Sequence, residues 1–182
     1  NHLMELCLRH NDPSQTLLMT PDGIVMYQVN TAQGQTTTIS RFENHPGLLS
    51  TGRVSCVVGE VDSSLLRLLD SESCIEIVMV SGTEETENVD RRWTFNGPDN
   101  KPYTWQILFR SPVVSLSGNA PIPLARYRQA KLGIISRSRR AFLEIFPAGI
   151  NVIDFIVVTF VSYAKHHWLL DEPHHESNPS AV

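Results

Sequence analysis

The chain predicts a mainly β domain, a sandwich or barrel of short strands, with one buried helix near its C-terminus. Two observations carry that expectation. Runs rich in β-branched and aromatic residues recur at roughly 8–12-residue spacing between turn-forming clusters, the pattern of antiparallel β architectures rather than of alternating strand–helix units. From Ile150 to Ala164 the rhythm stops and an almost unbroken apolar run replaces it.

The strands follow in order. Leu3 to Leu8 is apolar-rich and ends at Asn11-Asp12-Pro13, a strong turn signal. Thr16 to Met19 and Ile24 to Val29 flank Pro21-Asp22-Gly23, where proline presets φ and glycine supplies a positive φ, so the two form a hairpin. Gln35 to Ile39 is β-branched and follows a turn at Gly34. Arg53 to Val61, Leu65 to Leu69 and Cys74 to Val80 come next. The stretch Ser81 to Asp90, with Glu84, Glu85 and Glu87, is polar and acidic and is expected as an exposed loop. Arg92 to Phe95 and Tyr103 to Phe109 flank Asn96-Gly97-Pro98-Asp99, their aromatics alternating with polar residues at the strand period of two. Val113 to Leu116, Ile122 to Tyr127 and Ala141 to Ile145 complete the set, and no internal repeat is visible.

The apolar run reads as a core helix over about 150–167. On a helical wheel the half-turn from Thr159 round to Ile150 is wholly apolar, and the polar residues Asn151, Asp154, Thr159 and Ser162 are small, so the helix must be surrounded. A membrane span is the weaker reading, since the run is about 15 residues against the roughly 20 a bilayer requires, and Asp154 lies inside it. Asn151 reads as the N-cap and Asp154 as a first-turn acid, with Lys165, His166 and His167 at the end that favours positive charge. These elements make a single domain over residues 1–170, followed by a flexible tail over 171–182.

Hydrophobic residues make up 41% and charged residues 19% of the 182, far from the disordered regime, and a chain this long buries a core without disulfides or metals. Cys7, Cys56 and Cys74 are odd in number and form no CxxC pair, and each sits among β-formers, as buried core thiols in a reducing compartment do. The opening Asn1-His2-Leu3-Met4-Glu5 has neither the basic start nor the apolar stretch of a signal peptide, so an intracellular location is expected.

Net charge is −4, but its distribution is uneven. From Asn100 to Leu143 there is no Asp or Glu, yet Lys101, Arg110, Arg126, Arg128, Lys131, Arg137, Arg139 and Arg140 all fall there. The remainder of the chain holds only seven of the fifteen basic residues and all nineteen acidic ones.

Catalytic signatures are missing: there is no GxSxG, P-loop, HExxH or recognisable Cys/His pairing, and the carboxylates cluster where water keeps them ordinary. No enzyme activity and no cofactor are expected. His166-His167 and His174-His175 fit no zinc spacing and read as solvated tail residues. Trp93 and Trp105 occupy alternating strand positions flanking one hairpin, which makes core or cross-strand packing the expectation; Trp168 lies just past the helix.

Several motifs resemble one known family. Leu6-x-Leu8-x-x-Asn11-Asp12-Pro13, Pro21-Asp22-Gly23 and Tyr27-x-Val29 mark the first part. Trp93-Thr94-Phe95-x-Gly97-Pro98-Asp99-x-x-x-Tyr103-x-Trp105 marks the middle. Leu143-Glu144-Ile145, Gly149 and Ile153-Asp154-x-Ile156-Val157-Val158-Thr159-Phe160-Val161 mark the end. Together they span Leu6 to about Lys165 and resemble an uncharacterised domain family abundant in mushroom-forming fungi. That pattern is similar to the tubby, phospholipid scramblase and LURP-one-related superfamily. The resemblance implies a closed antiparallel barrel of about twelve strands wrapped round the apolar helix, which would cover every helix face and fill the lumen. A lipocalin-like ligand cavity is then not expected, and fold likeness by itself transfers no activity.

The acid-free basic segment is the leading candidate site. Arg126 and Arg128 share one strand face by their spacing of two, Lys131 follows, and Arg137, Arg139 and Arg140 lie in a Ser/Arg loop. Guanidinium groups gathered without carboxylates suit phosphate. In the tubby branch basic barrel residues bind phosphoinositides, so the resemblance implies anionic lipid headgroups. The expectation is therefore a non-enzymatic, cytoplasmic domain that engages a membrane peripherally through these six residues. Competing readings are a protein-interaction module using a sheet face or the acidic loop, and, less favoured, nucleic-acid binding. The bland reading is that the arginines pair with Glu43, Glu60 or the acidic loop across the fold.

Overall fold

A strand four to eight residues long satisfies its backbone only through neighbours, and a meander of antiparallel pairs supplies them with the shortest connections. In a computed structural model describing residues 3–32, 36–43, 54–63, 65–69, 74–78, 92–131 and 139–168, the chain forms such a meander. Its strands are β1 (Met4–Leu8), β2 (Thr16–Met19), β3 (Val25–Thr31), β4 (Thr37–Glu43), β5 (Val54–Val61) and β6 (Leu65–Leu69). They continue as β7 (Cys74–Val78), β8 (Trp93–Asn96), β9 (Pro102–Leu108), β10 (Ser111–Leu116), β11 (Ile122–Arg128) and β12 (Phe142–Ile145), before helix α1 (Ile153–Tyr163). The acidic stretch Ser81 to Asp90, Arg137 and the tail 171–182 lie outside the described residues.

All twelve strands belong to one antiparallel sheet in the order β7-β6-β5-β4-β3-β2-β1-β12-β11-β10-β9-β8, curled into a nearly closed barrel with α1 packed against its inner face. The first strand pairs with the last, Met4 opposite Ile145 and Leu6 opposite Leu143. Among the described residues the sheet ends at β7 and β8, so the seam falls in mid-sequence rather than at the chain ends. Alternation decides what faces inward: Leu6 and Leu8 in β1, Tyr27 and Val29 in β3, Trp93 and Phe95 in β8, and Tyr103 and Trp105 in β9 all enter the core.

The helix expectation holds, with different boundaries. A 3-10 turn (Pro147–Val152) leads into α1, and a π turn (Ala164–Trp168) continues it. By length and composition the run Pro147–His166 suffices to cross a membrane, but residues 155–164 are all buried by the strands around them. Asn151 is not the cap: Val152 holds that position without a side-chain hydrogen bond, because Pro147 starts the 3-10 turn four residues earlier. Asp154 does lie in the first turn, where it ties the helix to the wall. The Tyr27 hydroxyl donates to its Oδ1 at 2.5 Å, and Arg41 bridges it to Glu43.

Two further expectations are corrected by the same alternation. Cys7 is only half-buried and Cys74 is exposed, because Leu6 and Leu8, and Ile77, take the inward positions in their strands, whereas Cys56 is half-buried and packs against the core. Phe109 does not end strand β9. Leu108 pairs with Ser111, leaving Phe109 (φ 50°) and Arg110 (φ 64°) as a two-residue turn with both residues left-handed. That turn type favours Asn-Gly, and each residue with a Cβ held there costs about 1 kcal/mol. Gly23 (φ 91°) supplies the positive φ expected of the Pro-Asp-Gly turn.

Three phenols are buried in the wall. Burial and the Asp154 carboxylate hold Tyr27 well above the ordinary tyrosine range; burial, with a bond to Asp99, pushes Tyr103 up to about 12; burial alone pushes Tyr127 up to about 12. Folding raises all three, so the unfolded chain releases these protons first. Their stability contribution is therefore complete below about pH 10 and falls as pH rises, by up to about 1.4 kcal/mol per pH unit for each phenol. Urea midpoints should drop steeply above about pH 10, and a flat profile to pH 12 would mean the phenols ionise freely inside the fold.

Candidate functional site

Register fixes which connections share an end of the barrel. Successive strands reverse direction, so the β1–β2 connection, the Phe109–Arg110 turn and the β11–β12 connection lie together. Helix α1 emerges at this same end, where Lys165 Nζ donates to Thr37 Oγ1 at 3.4 Å and the His166 ring lies 3.1 Å from the Asp62 carbonyl oxygen. His166 is therefore half-buried rather than a solvated tail residue, and burial lowers its pKa against the pull of that carbonyl.

The six residues named from sequence divide into two groups and one outside the described residues. Arg126 and Arg128 do share the outer face of β11, but both are engaged. The Arg126 guanidinium lies 5.8 Å from the centre of the Phe146 ring, and Arg128 Nε reaches Glu144 Oε2 at 3.6 Å. Glu144 sits across the β11–β12 pairing, one residue past the acid-free stretch. Glu43 and Glu60, the partners foreseen for such arginines, pair instead with Arg41 and Arg67.

Lys131, Arg139 and Arg140 form the second group, exposed at the rim. A backbone bridge joins Lys131 to Arg139 in both directions, at 2.9 and 3.1 Å, and so holds the base of the connection as an extended hairpin. The Arg139 guanidinium stacks 4.6 Å from the centre of the Phe142 ring, an outward-facing side chain that this contact helps to cover. Arg137 belongs to the same connection but lies outside the described residues.

The fold adds two cations that sequence order did not place here. Arg9 arrives because β1 pairs with β12, and Arg110 because the β9–β10 turn points to this end. Val113 faces Arg126, and extending that register by two residues sets Ser111 level with Arg128, beside Arg110. Among the described residues, none of Arg9, Arg110, Lys131 and Arg140 has a carboxylate partner. Among the described residues, the connections at this end carry Asp12, which accepts from Ser14, and Asp62, which accepts from the Ser63 amide; β7 also ends and β8 begins here, and the acidic stretch between them lies outside the described residues.

At the opposite end the described cations are paired. There Arg41 pairs with Asp154 and Glu43, and Lys101 pairs with Asp99 at 3.0 Å. Asp99 is held below the usual carboxylate range: burial opposes this, but bonds from Lys101 and Tyr103 prevail. Among the described residues, then, Arg41 and Lys101 are paired where the helix enters, while Arg9, Arg110, Lys131 and Arg140 have no carboxylate partner where it leaves. No cluster of three or more metal-ligating side chains occurs among the described residues.

Trp93 and Trp105 face each other across β8 and β9 and are both buried, so neither offers a stacking platform to a ligand. The chemistry open to this rim is electrostatic: five exposed cations, Arg9, Arg110, Lys131, Arg139 and Arg140, belong to connections at one end of the barrel, and guanidinium and ammonium groups are donors suited to phosphate oxygens.

No curated protein and no solved structure matches the chain. Residues 11–167 match a family of unknown function, DUF6593, and this stretch takes in every strand but the first together with the whole of α1. The chain belongs to that family.

Proposed function

We propose that this domain is a non-enzymatic binding module that docks reversibly on anionic phospholipid headgroups at the cytoplasmic face of a membrane, and that its kinship reaches the tubby-like superfamily of helix-filled barrels. The observation that carries the reading is the gathering of Arg9, Arg110, Lys131, Arg139 and Arg140 on one rim without a carboxylate partner among the described residues. Because α1 fills the barrel, the outer surface and the rims are where a ligand meets the protein. Each basic side chain near an anionic leaflet contributes about 1 kcal/mol, an attraction that salt weakens.

Co-sedimentation with phosphatidylserine-containing vesicles at low salt tests it. The protein should pellet with these vesicles, stay in solution with pure phosphatidylcholine, and be released as salt rises. Replacing Arg139 and Arg140 together by Glu should weaken binding at least tenfold, about 1.4 kcal/mol. Indifference to anionic vesicles at low salt overturns the reading. A copurifying protein retained by the doubly substituted variant would point to a protein-interaction module instead.

A further inference from the structure

Phe109 is the most exposed large apolar side chain among the described residues, at 101% relative exposure, and its neighbour Leu108 is exposed as well. It is held there by a left-handed turn that phenylalanine and arginine both disfavour. A hairpin needing only to reverse direction does so more easily with Asn-Gly, so the local preference and the residue present disagree. Such disagreements gather at functional sites.

Among the described residues, several cations stand at the same end as this tip. Arg110 is its partner in the turn. Lys131, Arg139 and Arg140 stand on the next connection at the same end. An aromatic side chain at the tip of a basic rim matches one surface in particular: an anionic leaflet, whose headgroups take the charge while its acyl boundary takes the ring. A partner protein able to cover Phe109 would also have to satisfy the cations that share its end of the barrel.

We infer that Phe109 is an insertion tip that enters the acyl boundary of an anionic membrane while the arginines of this end and Lys131 hold the headgroups. This rests on the headgroup-binding reading above and assigns it an orientation, with the helix-exit end of the barrel facing the membrane. It also assigns the left-handed turn a role, because that turn projects the ring away from the wall.

The test uses a substitution whose structural and functional effects run in opposite directions. Phe109→Asn suits the left-handed turn better, so its thermal midpoint should equal or exceed that of the unsubstituted protein. Its affinity for vesicles of equimolar phosphatidylcholine and phosphatidylserine should nevertheless fall about tenfold, since the apolar contribution is lost. Phe109→Trp should keep the affinity, and lipids brominated in the acyl chains should quench its added emission relative to the parent protein. The inference requires both results. If the parent protein binds but Phe109→Asn binds equally well, or the new tryptophan escapes quenching, insertion is overturned and headgroup binding stands. Failure of the parent protein to bind these vesicles at low salt overturns both.

Discussion

Trp105→Ala is expected to cost about 3–5 kcal/mol and to lower the melting temperature by roughly 6–20 °C. The indole is fully buried, stacks on Tyr163 at 5.4 Å and meets Phe160 at 5.9 Å, so truncation opens a cavity between β9 and α1 that rigid strands cannot collapse. A smaller and more informative loss comes from its one polar atom. Trp105 Nε1 donates to Thr159 Oγ1 at 3.1 Å, and that hydroxyl in turn donates to the Phe155 carbonyl at 2.8 Å. Thr159→Val keeps the shape but leaves a buried indole donor unpaired, costing about 1–3 kcal/mol. In a Trp105→Phe background the same change should be nearly neutral, because no donor remains. Urea denaturation of the four proteins measures the coupling, and an undiminished Thr159→Val penalty in the Phe background would show that the hydrogen bond is not the cause.

Adding a methyl group at Gly59 or at Gly149 should destabilise by about 1–3 kcal/mol, the range for overpacking a close-packed core. The two losses differ in kind. A Cβ at Gly59 would stand 2.5 and 2.6 Å from the two methyl carbons of Val158, both ends of a side chain. Gly59→Ala combined with Val158→Ala should therefore recover much of the loss. At Gly149 the added atom would meet the Leu124 carbonyl oxygen, which belongs to the backbone of β11. Shortening Ile156, the other neighbour at 2.8 Å, should recover little there. Equal rescue at both sites would contradict this account of how helix and wall approach each other.

Most of the architecture was legible because it depends on local chemistry. Pro21-Asp22-Gly23 marked a hairpin and Gly23 takes the positive φ; the alternating aromatics of 93–105 marked another and all face the core. The apolar wheel of 150–164 demanded an enclosure, and the barrel supplies one. What escaped depends on contacts between distant segments. Asn151 looks like a cap in isolation, yet a 3-10 turn from Pro147 runs through it, with no room for a Cβ at Gly149 beneath the Leu124 carbonyl. Asp154 reads as a dipole partner, but Tyr27 and Arg41 claim it across more than a hundred residues.

The candidate site divides along the same line. A window without acids identified Lys131, Arg139 and Arg140, which do reach one rim. It overrated Arg128, whose partner Glu144 lies just past the window's end. It could not recruit Arg9, which arrives only through the pairing of the first strand with the last. Phe109 passed for a strand residue because Phe-Arg is a poor sequence for the turn it occupies.

That pairing of first strand with last also sets a clock. Met4 cannot meet Ile145 until nearly the whole domain has left the ribosome, an interval of roughly 7–28 s at ordinary elongation rates. The helix that fills the barrel is translated later still, so Leu6, Leu8 and Tyr27 wait with their apolar faces uncovered. The nascent chain is thus a curved open sheet for most of its synthesis, the stage at which chaperone capture and strand-edge aggregation compete. Truncations that end before Tyr163 should leave the ribosome as insoluble chains rather than as smaller folded domains.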